Sequence, residues 1–470
     1  MQHTTRTVYF GRDPLGRRSL VIRQPTEDRR YLTIASVSTG ERGYEEVAAD
    51  TIFSISLSDE WYQIQPVSRS TIEDGVPFAA PQPLRRDLPP TDYLPPTDPL
   101  PSIWEDTVTE YIAYLEESLI FNSQGPDTAR VAVLFSGGID SSVVAFLAHK
   151  HLPLSEPIDL LNVAFENPRT LEGNTQPSKR KKTKRQSEDI GDDEKASKKY
   201  SVPDRLTGLA QVEEFRRLAP ERMWNFVEIN VPYEVQYFKA LNEWLIDVLQ
   251  ESTSLRSTIE QLMAPARTIM DLSLAQALYF ASRGVGSIEK DGEMIAYIST
   301  ARVILSGLGA DELLGGYIRH RNAYKHAGWQ GLLDELQLDV DRINTRNLGR
   351  DDRVISSHGK ETRYPFLSMT LLAYLSSLPI HLKVDPRVAP DEQQNEPNGG
   401  SNGRNLTTIR GLPGDKLLHR LAARRLGLEG AAGRAKRAMQ FGSRSARMEG
   451  GEGTKKIKGV KLLTEVERGT

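Results

Sequence analysis

The chain has 470 residues, with 60 lysines and arginines against 63 aspartates and glutamates, and no cysteine. That length holds two or three domains, and the near balance of charge gives no global field for nucleic acid or a membrane. The missing cysteine excludes disulfides, thiolate metal sites and cysteine nucleophiles. No apolar run is long enough to span a bilayer, and Met1–Arg6 lacks the apolar core of a signal peptide, so the expectation is a soluble, cytoplasmic protein.

In chain order, residues 1–65 read as short strands: Tyr9–Phe10, Leu20–Ile22 and Tyr31–Ile34 are separated by turn residues such as Asp13, Pro14 and Gly16. Residues 66–103 form a proline-rich linker, since ten of the 27 prolines fall between 66 and 101. A helix is predicted from Trp104, whose stripe continues through Val108, Tyr111, Ile112, Leu115 and Leu119. From Val131 strands alternate with helices, as in a doubly wound α/β domain with a parallel sheet. Predicted strands cover Val131–Phe135, Ile158–Phe165, Trp224–Val231 and Ala301–Leu305, with a helix over Leu209–Leu218. A polar insert at 168–201 carries a basic tract, Lys179–Arg185, then an acidic cluster. It reads as a solvated loop, with a nuclear localisation signal or nucleic-acid contact as the competing reading. Beyond Tyr317 the pattern is helical, interrupted by a polar loop at 385–414, and residues 451–470 read as a tail.

Chemistry concentrates first at Ser136, Gly137, Gly138, Ile139, Asp140 and Ser141. A buried strand precedes this loop and a helix follows it. Glycines there permit a sharp turn and close ligand approach, and the amides opening the helix attract anions. Ser136 and Ser141 add hydroxyl donors, and Asp140 can hold a magnesium ion shared with phosphate oxygens. A second loop, Val303 to Tyr317, repeats the architecture: a buried strand, then Gly307 and Gly309, then Asp311 and Glu312 opening a helix. If both loops end adjacent parallel strands they flank one crevice, and Asp140 and Asp311 face one metal ion.

The first loop resembles the PP-loop of ATP pyrophosphatases. Together the two loops resemble the synthetase domain of the asparagine synthetase family, whose second motif reads Ser-Gly-x-Gly-Ala/Ser-Asp-Glu-x-x-Gly-Gly-Tyr. Glu361–Leu367 and Ala435–Ser443 resemble two further family motifs, so the likeness runs over residues 104–450. Pro157–Phe165, Trp224–Asn230 and Asn347–Val354 resemble a divergent eukaryotic branch, the asparagine synthetase domain-containing proteins. Phe10–Leu20 is similar to a late segment of an N-terminal-nucleophile glutamine amidotransferase domain. Residues 1–65 would then be a small β-rich remnant of it, from a truncated gene model or a lineage that lost the front of the domain. The nucleophile of that domain is a cysteine. Position 2 is glutamine, so a glutaminase nucleophile is absent from this chain.

The resemblance implies ATP and magnesium as cofactors and aspartate and ammonia as substrates. The aspartate side chain would attack the α-phosphate to give an acyl-adenylate and pyrophosphate, and ammonia would then release AMP. Asp311, Glu312 and Lys436 take the catalytic roles. Ser136–Ser141, Val163 and Gly307 bind ATP, with the backbone of Val163 at adenine, and Asp140 and Asp311 hold the metal. For Lys436, a solvated basic face beside Arg434 and Arg437 is the competing reading. Arg363 and Glu361 are expected as a buried structural pair. Leu308 stands where the family carries a glutamate, and it cannot accept a proton. Two readings therefore stay open, an ammonia-dependent ligase and a nucleotide-binding protein without turnover; nucleic-acid modification is the weaker third. A homodimer and an ammonia-supplying partner both remain open.

Overall fold

Two apolar layers, one on each side of a central sheet, organise the computed structural model, which describes residues 6–40, 43–57, 63–68, 81–120, 130–166, 199–232, 252–388 and 409–447. The basic tract, nearly all of the insert, the centre of the 385–414 loop and residues 451–470 lie outside the described residues. Strands β1 (Thr7–Phe10), β5 (Thr51–Ser56) and β6 (Ile64–Ser68) make one small antiparallel sheet, and β2 (Val21–Arg23), β3 (Thr33–Ala35) and β4 (Tyr44–Glu46) make another. Residues 81–101 then run mostly without regular structure across the surface, with Leu84 N donating to Gln337 Oε1 and Arg85 N to the Ser376 carbonyl.

Helix α1 (Ser102–Glu117) buries its predicted stripe, Trp104, Val108, Tyr111 and Leu115. The main unit follows as β7 (Val131–Leu134), α2 (Ile139–His151), β8 (Ile158–Phe165), α3 (Pro203–Leu218), β9 (Trp224–Val231), α4 (Ser252–Met263) and α5 (Ile269–Arg283). Then come β10 (Val285–Lys290), β11 (Glu293–Ile298), β12 (Val303–Leu305), α6 (Ala310–Leu314), α7 (Ile318–Arg342) and α8 (Leu348–Ser356). It ends with β13 (Glu361–Arg363), α9 (Met369–Ser377), α10 (Leu417–Arg425), α11 (Glu429–Gly433) and α12 (Met439–Gly442).

The large sheet has the order β11-β10-β9-β8-β7-β12-β13. Strands β9 to β13 in that order are parallel. Because side chains alternate across a strand, Val131 and Val133 enter the layer of α2 and α3, while Ala132 and Leu134 enter the layer of α4, α5 and α8. Both faces are covered, so β7 and β8 are buried at every position. The limits expected for β8 and β9 match the structure. The third helix starts at Pro203 rather than Leu209, with the proline at the first helical position.

A first expectation needs correction: the sheet is mixed. Strands β10 and β11 form an antiparallel hairpin that adds to the outer side of β9. Its turn, Asp291-Gly292, has positive φ at both residues, the arrangement that matches the twist of a two-residue hairpin. That dipeptide was the available signal.

Helix α8 joins the N-terminal sheets to this unit through charges that point inward. Arg353, with 1% of its side chain exposed, donates to Ser19 Oγ at 2.8 Å and pairs with Glu46 at 2.5 Å. Asp352 accepts from Ser19 N at 2.9 Å and pairs with Arg18 at 3.0 Å. Arg350 pairs with Asp351 at 2.7 Å and with Asp271 at 2.6 Å. Glu361 and Arg363 do pair, at 3.1 Å, but both are nearly half exposed, because β13 is the sheet's other edge. The expectation of a buried pair is thus corrected.

Candidate active site

The chain runs outward from β7 to β8 and β9 on one side, then returns to β12 and β13 on the other. The strand order reverses between β7 and β12, and in open α/β sheets ligands bind outside the carboxyl ends of the strands at such a point. Both motif loops start there. Register pairs Val303 with Val131 and Leu305 with Val133, so the two loops leave the sheet side by side.

The first loop is braced from several directions. Ser136 Oγ accepts from Gly138 N at 3.2 Å, and Ser141 Oγ donates to the Gly138 carbonyl at 3.1 Å. Thr207 Oγ1 on α3 donates to the Ser136 carbonyl at 2.8 Å, and Arg434 Nη1 donates to the Gly137 carbonyl at 2.6 Å. Gly137 has φ of 71°, and a Cβ there would lie 2.5 Å from the α3 backbone at Thr207 and Gly208. Only glycine meets both conditions. Ile139 opens α2 and is buried, and Asp140 follows in its first turn.

On the second loop, Gly307 lies directly behind Asp140; a Cβ on it would come 2.8 Å from Asp140 Cβ. Leu308 is partly buried against the apolar layer. Asp311 and Glu312 occupy the first turn of α6. Glu312 is turned toward Tyr317, whose hydroxyl donates to its Oε1 at 2.5 Å.

Two lysines close the arrangement. Lys416, at the N-terminal cap of α10, places Nζ 2.7 Å from both carboxylate oxygens of Asp140 with hydrogen-bond geometry. The same Nζ lies 2.6 Å from Asp311 Oδ1, an ion pair without hydrogen-bond alignment. Lys436 Nζ pairs with Asp311 Oδ2 and sits 4.1 Å from the centre of the Tyr317 ring. Three residues after Lys416, His419 is buried, with Nδ1 2.9 Å from the Tyr111 hydroxyl and Nε2 3.5 Å from Asp140 Oδ1.

Burial raises Asp140, opposed by the Lys416 charge. Burial would raise Asp311 too, but Lys416 and Lys436 together outweigh it and hold that carboxyl at about 2. Glu312 is pushed up by burial and by the Asp311 charge. Burial, then the charges of Lys416 and Arg420, hold His419 well below its ordinary value, so its imidazole is neutral.

The resulting open cleft has a volume of about 650 Å³, solvent included, and a cationic wall of Lys416, Arg434, Lys436 and Arg437. Ser136, Gly138, Ile139, Asp140, Ser141 and Lys436 line it, and Asp311 borders it through both lysines. Gly137 and Gly307 lie behind the loops. Val163 sits on β8 in the apolar layer, opposite Ile229 of β9, and is not among the residues that line this cleft. Lys416, Thr207, Arg434 and His419 were not singled out from the sequence. For Lys416 the only local trace is its place just ahead of the buried helix Leu417–Arg425.

Two facing carboxylates are hard oxygen donors of the kind magnesium takes together with substrate phosphates. Among the described residues no group of three or more histidines, cysteines and carboxylates could hold a metal alone. The donors fit an ion carried by a phosphate ligand, not a protein cage.

Fold and cleft together define a mixed α/β protein with an anion-attracting cleft at the switch point of its sheet. The asparagine synthase family model matches residues 122–204 and 321–391. Asparagine synthetase domain-containing protein 1 of Gallus gallus is 45% identical over 339 residues, covering 69% of this chain and 47% of that protein. An asparagine synthetase domain-containing protein of Saccharomyces cerevisiae is 31% identical over 449 residues, covering 94% of this chain and 68% of its own length. A putative glutamine-hydrolyzing asparagine synthetase of Methanocaldococcus jannaschii is 36% identical over 155 residues, 31% of this chain and 28% of that protein. The chain belongs to the family of asparagine synthetase domain-containing proteins. It spans about half the length of the vertebrate relatives it matches. Among the described residues, no helix is long and apolar enough to cross a membrane.

Proposed function

We propose that the cleft binds ATP and activates the side-chain carboxylate of aspartate, or of a similar acid, for amide formation. The observation that carries this reading is the meeting of Asp140, Asp311, Lys416 and Lys436 between the loops that follow β7 and β12. A carboxylate is a poor nucleophile toward a polyanion, so phosphate charge must be screened before attack. The amides of Gly138 to Ser141 and the hydroxyls of Ser136 and Ser141 take the phosphates. Magnesium, held by Asp140 and Asp311, would supply charge neutralisation when bound. The attacking oxygen forms a bond to the α-phosphorus as the bond to pyrophosphate breaks. Lys436 then stabilises the departing pyrophosphate as a point charge. Ammonia attacks the acyl carbon, AMP leaves, and the nitrogen loses a proton. With no cysteine in this chain, the reading uses free ammonia.

A second reading, nucleotide binding without turnover, is favoured by Leu308. This apolar side chain, on the second motif loop, packs against the core and offers no acceptor for a proton from nitrogen. One assay separates the two: pyrophosphate release from magnesium-ATP, with aspartate and ammonium each present or omitted. The ligase reading expects release that requires aspartate, with AMP and asparagine as products. ATP binding without aspartate-dependent release would leave the second reading standing.

A further inference from the structure

Lys416 stands where a divalent cation would be expected, between the two carboxylates. It is no loose surface lysine, since 1% of its side chain is exposed. Its backbone N donates to the Leu314 carbonyl at the end of α6, the helix that carries Asp311. Its stem runs past Gly316, where a Cβ would lie 2.2 Å from Lys416 Cε and 2.0 Å from Asp311 Oδ1. The ammonium is therefore fixed by its backbone on one side and by two carboxylates on the other. A swing of the side chain out of the site would break its contacts with both carboxylates.

The charges give this placement a consequence. Asp140 and Asp311 contribute two negative charges, and Lys416 and Lys436 contribute two positive ones. Glu312, hydrogen-bonded to Tyr317, adds at most one more negative charge, and Arg434 and Arg437 on the cleft wall add two positive ones. The site therefore carries no net negative charge before any ligand arrives, and nothing with which to draw a free divalent ion. An ion that arrives on a triphosphate brings its own anionic ligands and needs from the protein only the outer carboxylate faces.

We propose that Lys416 is a resident cation, clamping Asp140 to Asp311 in place of a divalent ion, so that the site takes divalent metal only as its complex with a nucleoside triphosphate. This rests on the reading of the cleft as a nucleotide site. The test is titration of Mn2+ followed by electron paramagnetic resonance, with and without α,β-methylene ATP, alongside calorimetry of the analogue itself.

Wild-type protein is expected to retain Mn2+ with the analogue and to bind free Mn2+ at least about tenfold more weakly without it. Lys416→Met is expected to tighten free Mn2+ binding at least about tenfold, because two like charges are left facing each other. Equal wild-type affinity with and without the analogue overturns the proposal, as does a folded variant with unchanged affinity for free Mn2+. Should the variant fail to fold, the wild-type titration decides alone. Wild-type protein that binds no analogue refutes the nucleotide reading, and free Mn2+ binding by wild type and Lys416→Met then still decides the role of the lysine.

Discussion

Lys383 is buried completely, and its Nζ donates to the Leu375 carbonyl at 3.0 Å. Among the described residues no carboxylate offsets its charge, and burial lowers its pKa from 10.5 to about 7. Replacing it with methionine keeps the length of the stem and removes the charge. The interval from 10.5 to about 7 corresponds to about 5 kcal/mol of charge-burial cost. The lost bond to Leu375 returns about 1 kcal/mol, and water entry around the wild-type ammonium lowers the rest. Lys383→Met is therefore expected to stabilise the protein by about 2–4 kcal/mol at pH 7. The sign with pH follows from proton counting. Below pH 7 both folded and unfolded lysine hold the proton, and the cost is full. Between about 7 and 10.5 the unfolded chain holds it and the folded one does not, so wild-type stability rises with pH. Urea denaturation followed by tryptophan fluorescence, from pH 6 to pH 10, should show the gap between variant and wild type closing. A gap constant over that range, or a variant less stable at pH 7, would refute the reasoning.

Gly137→Ala forces a side chain into positive φ and against the α3 backbone. It is expected to cost about 2–4 kcal/mol in urea denaturation and to abolish nucleotide binding in calorimetry. Arg353→Met leaves Glu46 with Arg12 alone. A loss of about 2–3 kcal/mol is expected, less than for a fully buried pair because Glu46 is one-fifth exposed. Hydrogen exchange should rise in β2 and β4 before it rises in β7 and β8. Lys436→Met is expected to slow aspartate-dependent pyrophosphate release about 100-fold or more. Its nucleotide affinity, read by calorimetry, should change far less.

Where burial is two-sided and continuous, the sequence was a sufficient guide. Strand β8, Ile158–Phe165, is buried at every position, and strand β9, Trp224–Val231, buries Trp224, Phe226, Val227, Ile229 and Val231. Both motif loops could be found because their glycines and acids are adjacent in sequence. Lys416 could not be found that way, because its role comes from docking the start of α10 against the end of α6, a contact across about a hundred residues. The hairpin of β10 and β11 was obscured for another reason: β11 is a largely exposed edge strand, and its apolar run Met294–Ile298 does not alternate with polar residues. Its Asp-Gly turn was the one clear mark. The exposure of Glu361 and Arg363 depended on strand order, which no local pattern encodes.

The inward charges of α8 limit how this chain can be recombined. Ser19 and Glu46 belong to the N-terminal segment, and Asp352 and Arg353 belong to the α/β unit, yet each pair is chemically incomplete without the other. A chimera that exchanges residues 6–57 with an unmatched donor would place a guanidinium and a carboxylate opposite groups that cannot receive them. The two parts must be inherited, or transplanted, as a matched set.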